Sequence, residues 1–114
     1  MKKVSLTALA REQLEIARAA SSGRSSQTVY GGHEHSLRQT LIALKAGSAL
    51  DDHESPGEAT LHVLVGRVRI SNADVHWDGT PGDHIVIPLS RHGLQALEDS
   101  AVLLTVAKAV GPHV

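Results

Sequence analysis

The sequence predicts an all-β domain, a closed barrel or a sandwich, preceded by one helix. Three observations carry that expectation. From Thr28 onward, short runs rich in Val, Ile, Leu and Thr alternate with Gly, Pro, Asp and Asn, the pattern of many strands joined by tight turns. Only residues 5–20 carry a convincing helical stripe. No strand–helix–strand alternation appears, which argues against a parallel doubly wound sheet.

Taken in order, the helix comes first. Ser5 or Thr7 offers an N-cap oxygen, and Leu6, Leu9, Gln13, Ile16 and Ala20 lie near one narrow stripe, which suits packing on a sheet or a partner chain. SSGRSSQ, Ser21 to Gln27, reads as a flexible connection with Gly23 as the helix stop. Strands are expected at 28–31, 37–45, 59–65, 67–71, 74–77, 84–87, 93–97 and 101–108. Between them lie the breaks GGHEH, AGSALDDHESPG, Ser71-Asn72, DGTPGD, PLSRHG and EDSA. In PGDHIVIP, Gly82 and Asp83 make a turn and His84 to Ile87 a short buried strand, which Pro88 ends because it has no backbone donor. A chain of 114 residues is expected to be one domain, with the helical arm at 5–20 and the barrel over about 28–110.

Composition removes several function classes. Lys and Arg number 11 against 12 Asp and Glu, a formal charge of -1, without the clustered positive charge that a nucleic-acid surface needs. Aromatic residues make up 2%, with no Phe, so base-stacking platforms are absent. The lack of cysteine excludes disulfides and thiolate metal sites. No apolar run is long enough to span a membrane. In MKKVSLTALAREQLEIARAA, Arg11, Glu12 and Glu15 interrupt the apolar centre that a signal peptide requires, so a cytoplasmic protein is expected. The run Ala59 to Val65 is apolar on both faces, and so short a chain has limited means of covering a second face. A homodimer through strands and the helix of residues 5–20 is the expected consequence. Eight histidines turn attention to site chemistry, since histidine is a common metal ligand and proton carrier.

Two glycine-led stretches hold the chemistry. Gly47 is followed by five residues and His53, then Ser55, Glu58 and Gly66. Gly82 is followed by five residues and Pro88, then His92. These stretches resemble the two motifs of the cupin superfamily. The first motif is a Gly, five residues, His-x-His, a Glu three or four on and a Gly after six more. The second is a Gly, five residues, Pro-x-Gly, two residues, a His and often an Asn four later. The resemblance spans about residues 37–108 and looks most like the small single-domain, RmlC-like cupins. It implies a cupin-type antiparallel β-barrel (a jelly roll) with an N-terminal helix, and a small molecule bound in the barrel. It also implies a divalent metal (zinc, iron, manganese or nickel) held by His53 and His92, with Glu58 or His62 as third ligand.

The motifs are degenerate. Ser55 stands where the second histidine belongs, and seven residues, not six, separate Glu58 from Gly66. Ser90 replaces the glycine after Pro88, His92 comes one residue early, and Ala96 occupies the position of the Asn. Ser55 is a poor ligand for zinc or iron, though its hydroxyl can bond a bound water or substrate. Glu58 reads either as a carboxylate ligand or general base, or as a solvated turn residue. Strand alternation puts His92 with Leu94 and Ala96, inward at the rim if those two are core. His62 alternates with Leu61 and Val63, the pair that the resemblance turns toward the cavity. A bulge near Glu58 would turn His62 inward; otherwise it belongs to a contact between sheets or subunits. Gln39 shares a face with Leu37, Leu41 and Ala43, and if that face lines the cavity its amide needs a partner there. His33 and His35 read as a surface or lid feature, with metal contact as the alternative, His76 as exposed, His84 as a core histidine, and Arg67 with Arg69 as a solvated face that could also receive an anionic partner. Three functions stay open: small-molecule binding, a metal-dependent oxygenase or isomerase, and a metal-free regulatory or dimeric module.

Overall fold

The computed structural model describes residues 1–53 and 57–108. Helix α1 (Leu6–Ala19) precedes β1 (Arg24–Tyr30), β2 (Leu37–Leu44), β3 (Ala49–His53), β4 (Gly57–Val65), β5 (Val68–Ser71), β6 (His76–Gly79), β7 (His84–Val86), β8 (His92–Ala96) and β9 (Ser100–Lys108). They form two antiparallel sheets, one ordered β1-β2-β9-β4-β7 and the other β3-β8-β5-β6.

Alternation assigns the faces. Leu44 on β2, Ala59, Leu61 and Val63 on β4, and Val102 and Val106 on β9 point between the sheets. There they meet Val68, Ile70, Leu94 and Ala96 of the smaller sheet. The opposite face of the larger sheet offers Leu41, Ala43 and Ala101, which pack under Leu9, Ala10, Leu14 and Ala17 of α1. The strand with two apolar faces thus has the core on one side and, at Leu64, the helix cluster on the other.

Ser5 caps the helix, its Oγ accepting the Ala8 N–H at 3.2 Å. At the other end the Ala20 N–H donates to Ile16 O at 2.9 Å. The buried stripe is Leu9, Ala10, Gln13, Leu14 and Ala17, turned round the helix from the expected one, and Ile16 is 53% exposed. The small side chains of Ala10 and Ala17 let the helix approach the sheet closely, and buried Leu9 and Leu14 each contribute about 2 kcal/mol over exposure. Gln13 sits in this apolar stripe because β1 answers it. Its Nε2 donates to Gln27 Oε1 at 3.2 Å, and Ser25 Oγ donates to its Oε1.

Seven expected strands are present with ends within two residues. Two departures matter. β1 begins at Arg24, inside the stretch expected to be a flexible connection, and β3 occupies part of the expected loop AGSALDDHESPG. The added first half of β1, RSSQ, and the run ALDDH are poor in β-formers, and their ladders with β2 and β8 override propensity.

Candidate functional site

The space between the sheets is not completely filled. A cavity of about 40 Å3 remains, lined by Ile42, Leu50, Leu61, Ile70, Ile87, Leu94, Leu104 and His92. Seven of these are aliphatic, so His92 is the polar group of the lining. It is buried, at 6% exposure, and its ring is oriented by the chain just before it: Nδ1 lies 2.9 Å from Ser90 O. A carbonyl oxygen only accepts, so Nδ1 carries a proton.

His53 is brought opposite His92 in the ladder by a slip in register. Leu50 on β3 pairs with Leu94 on β8, and simple alternation from there would set Asp52 opposite His92. The register shifts between Leu50 and His53, and His53 is the Cα partner of His92. One extra residue in β3 thus decides which residue of the DDH run is the register partner of His92.

The other residues singled out from the sequence lie elsewhere. Glu58 is exposed on β4, with Ala107 as its partner on β9. It shares the outer face of the large sheet with Thr60 and His62, because Ala59, Leu61 and Val63 take the inner one. His62 is half-buried on that outer face; the irregularity in β4 falls between Val63 and Val65, too late to turn it inward. Gln39 is also outside, its Nε2 donating to Thr105 Oγ1 at 3.2 Å. It borders an open groove with Lys2, Lys3, Val4, Val29, Tyr30 and Leu37. The set Leu37, Gln39, Leu41, Ala43 therefore faces away from the cavity. Ser55 lies outside the described residues. His84, expected in the core, is exposed on β7; its neighbour Ile85 takes the inward position. His33, His35 and His76 are exposed, and the His35 ring meets Tyr30 edge-on at 5.2 Å.

Sequence reasoning missed Leu50, because DDH after it hid a strand, and it missed the part of Ser90, whose backbone carbonyl rather than its side chain orients His92. It took Arg67 and Arg69 as a solvated face open to an anionic partner, and did not foresee Asp78 as that partner. Arg69 Nε and Nη2 grip Asp78 at 2.7 and 3.2 Å, and Arg67 Nη2 adds a third bond at 3.0 Å. The hydrogen bond from Arg69, with that from Arg67, holds the Asp78 carboxyl down at about 2. This cluster joins β5 to β6 on the outer surface, away from the cavity.

The resemblance to cupins implies a metal, and the donors present can be tested against it. A tight zinc or iron centre takes three or four good donors. Among the described residues no group of three or more His, Asp or Glu side chains converges. Glu58 and His62, the proposed third ligands, occupy the wrong face of β4. These residues do not fit a three-donor centre in the barrel.

No protein-family profile matches the chain, and none of the curated proteins does. Solved structures do match. A conserved protein of unknown function from Streptococcus pyogenes is 28% identical, with a TM-score of 0.71 over 81% of this chain and 80% of that one. An RmlC-like cupin protein from Desulfovibrio desulfuricans is 26% identical, with a TM-score of 0.64 over 74% and 81% of the two chains. A cupin superfamily protein from Desulfitobacterium hafniense shares 17% identity but a TM-score of 0.69 over 75% and 78%, a likeness of fold alone. With its two antiparallel sheets, its core between them and these neighbours, the chain is a cupin-superfamily protein of the RmlC-like kind.

Proposed function

We propose that this cupin is a binding module for a small, mainly apolar molecule, and that His92 marks where the ligand's polar end sits. The observation that carries this reading is the lining itself: one oriented, buried imidazole in an otherwise aliphatic cavity. Binding sites are built this way, from apolar walls and a few placed polar groups. Size limits the ligand. A cavity of about 40 Å3 exceeds the ~10–15 Å3 that one water needs, yet falls well short of the roughly 300 Å3 of an ordinary ligand pocket. The ligand is therefore a molecule of few heavy atoms, or one that inserts a short apolar end and keeps its polar end toward the His92 ring. The metal-dependent oxygenase or isomerase reading lacks support from the donor set described above.

Methyl-labelled protein titrated with small alcohols, amides and carboxylic acids tests this. Shifts should concentrate on the Ile, Leu and His92 signals of the lining, and His92→Phe should weaken the binding of ligands with a polar end while keeping the fold. A set of binders that moves only the outer groove beside Lys2 and Gln39, or no binder at all, overturns the proposal.

A further inference from the structure

The outer face of the large sheet carries two histidines that the barrel chemistry does not use. His62 on β4 and His84 on β7 are direct partners in the antiparallel ladder, so their side chains rise from the same face. The ladder's hydrogen bonds fix how close they stand. The Val63 N–H donates to Asp83 O at 3.0 Å, and the Ile87 N–H donates to Ala59 O at 3.0 Å. Antiparallel pairs alternate between bonded and non-bonded. With 63/83 and 59/87 bonded, 61/85 is bonded too, and 62/84 is a non-bonded pair. That is the closer kind, with Cα atoms about 4.5 Å apart and side chains nearest each other. Two imidazoles on one ion at the usual ~2.0–2.1 Å stand about 3.3 Å apart at their nitrogens, a gap that two rings rooted this close can span.

The site is also open. β7 is the edge strand of its sheet. α1 lies on this same face, but over Leu41, Ala43 and Ala101 of β2 and β9, and its cluster meets β4 at Leu64. His84 is exposed and Val86 beside it is 68% exposed. We propose that His62 and His84 form a surface chelate for a borderline divalent ion such as Ni2+, Cu2+ or Zn2+, the remaining positions being filled by water. Neutral imidazole suits these ions, and affinity rises toward Cu2+. Two donors make the site modest, in keeping with the absence of a third His, Asp or Glu among the described residues. The inference is independent of the cavity reading, since it uses the opposite face of β4.

Calorimetric titration of the untagged protein with NiCl2 tests it, with the ion alone as probe. The wild type should take up one equivalent that His84→Ala and His62→Ala each weaken by roughly 100-fold, the lower end of the gain from tethering a second ligand. His84 is exposed, so its variant should keep the fold, which circular dichroism checks. His92→Ala and the double variant His33→Ala/His35→Ala should leave that equivalent in place. The same loss with ZnCl2, accompanied by loss of a zinc-dependent dimer, would likewise support the chelate and assign its open positions to a second copy. No uptake by the wild type overturns the proposal, as does uptake unchanged in both His62→Ala and His84→Ala, or abolished by the His33/His35 variant alone.

Discussion

Leu61→Ala measures how much the cavity wall matters. Leu61 is 2% exposed and lines the cavity from β4, a strand bonded on both sides by β9 and β7. A strand held on both edges cannot move in to fill a void. Removing three carbons loses about 2.4 kcal/mol at ~0.8 kcal/mol per methylene. Residual void adds roughly 24 cal/mol per Å3, so about 40 Å3 left unfilled adds about 1 kcal/mol. The expected loss is therefore about 3.4 kcal/mol, or roughly 14 °C in Tm at about 4 °C per kcal/mol for a domain of this size. Urea unfolding followed by circular dichroism reads the free energy, with an unchanged slope certifying the comparison. Benzene should then bind the enlarged apolar space and, at ten times its Kd, return about 1.4 kcal/mol. A loss below about 1 kcal/mol, the range of a surface change, would refute the packing argument. So would equal stabilisation of the wild type by benzene.

Two further outcomes follow from other parts of the fold. Gly66 turns β4 into β5 at φ +82, and a Cβ there would meet the Asp99 carbonyl oxygen and Ser100 Oγ. Gly66→Ala should therefore lower stability by more than the ~1–2 kcal/mol of the left-handed backbone alone, and a melting curve matching the wild type would contradict it. Asp78, held at about 2 by Arg69 and Arg67, should stabilise the fold fully above about pH 4, its ordinary value, and lose that contribution as pH falls toward 2. The gap in urea midpoint between wild type and Asp78→Asn should thus narrow from pH 7 to pH 2 and shrink in high salt; a gap that is constant across that range would sink the assignment.

Much of this was legible because alternation is a strong signal where both faces are spoken for. His92, Leu94 and Ala96 read as one inward set from sequence and are all buried. Leu61 and Val63 likewise occupy the inner face that the cupin resemblance gives them. The failures share a cause. β3 is ALDDH, with one large apolar residue and two acids, so its strand character comes from the ladder with β8 rather than from its own residues. Gln39 shows a different limit. The run LRQTLIAL is apolar at both parities, and which face meets the core depends on where α1 packs, which no local pattern reports. Glu58 and His62 follow from the same ambiguity on β4. His84 was misassigned because HIVI looks like a buried strand, whereas β7 stands at the sheet edge with one side open.

The two motif histidines, 53 and 92, are Cα partners across β3 and β8, and the candidate site depends on that pairing. The chain has no cysteine, so the double variant His53→Cys/His92→Cys tests their juxtaposition without interference. Register partners have Cα atoms about 4.5–5.5 Å apart, inside the 4.4–6.8 Å that a disulfide spans. On mild oxidation the folded monomer should close this bond, seen by mass spectrometry as the loss of two hydrogens and of both titratable thiols. His53→Cys/His84→Cys, placed on different sheets, should stay reduced. Persistence of both thiols in the folded His53→Cys/His92→Cys protein, or closure only between molecules, would contradict the site at its root.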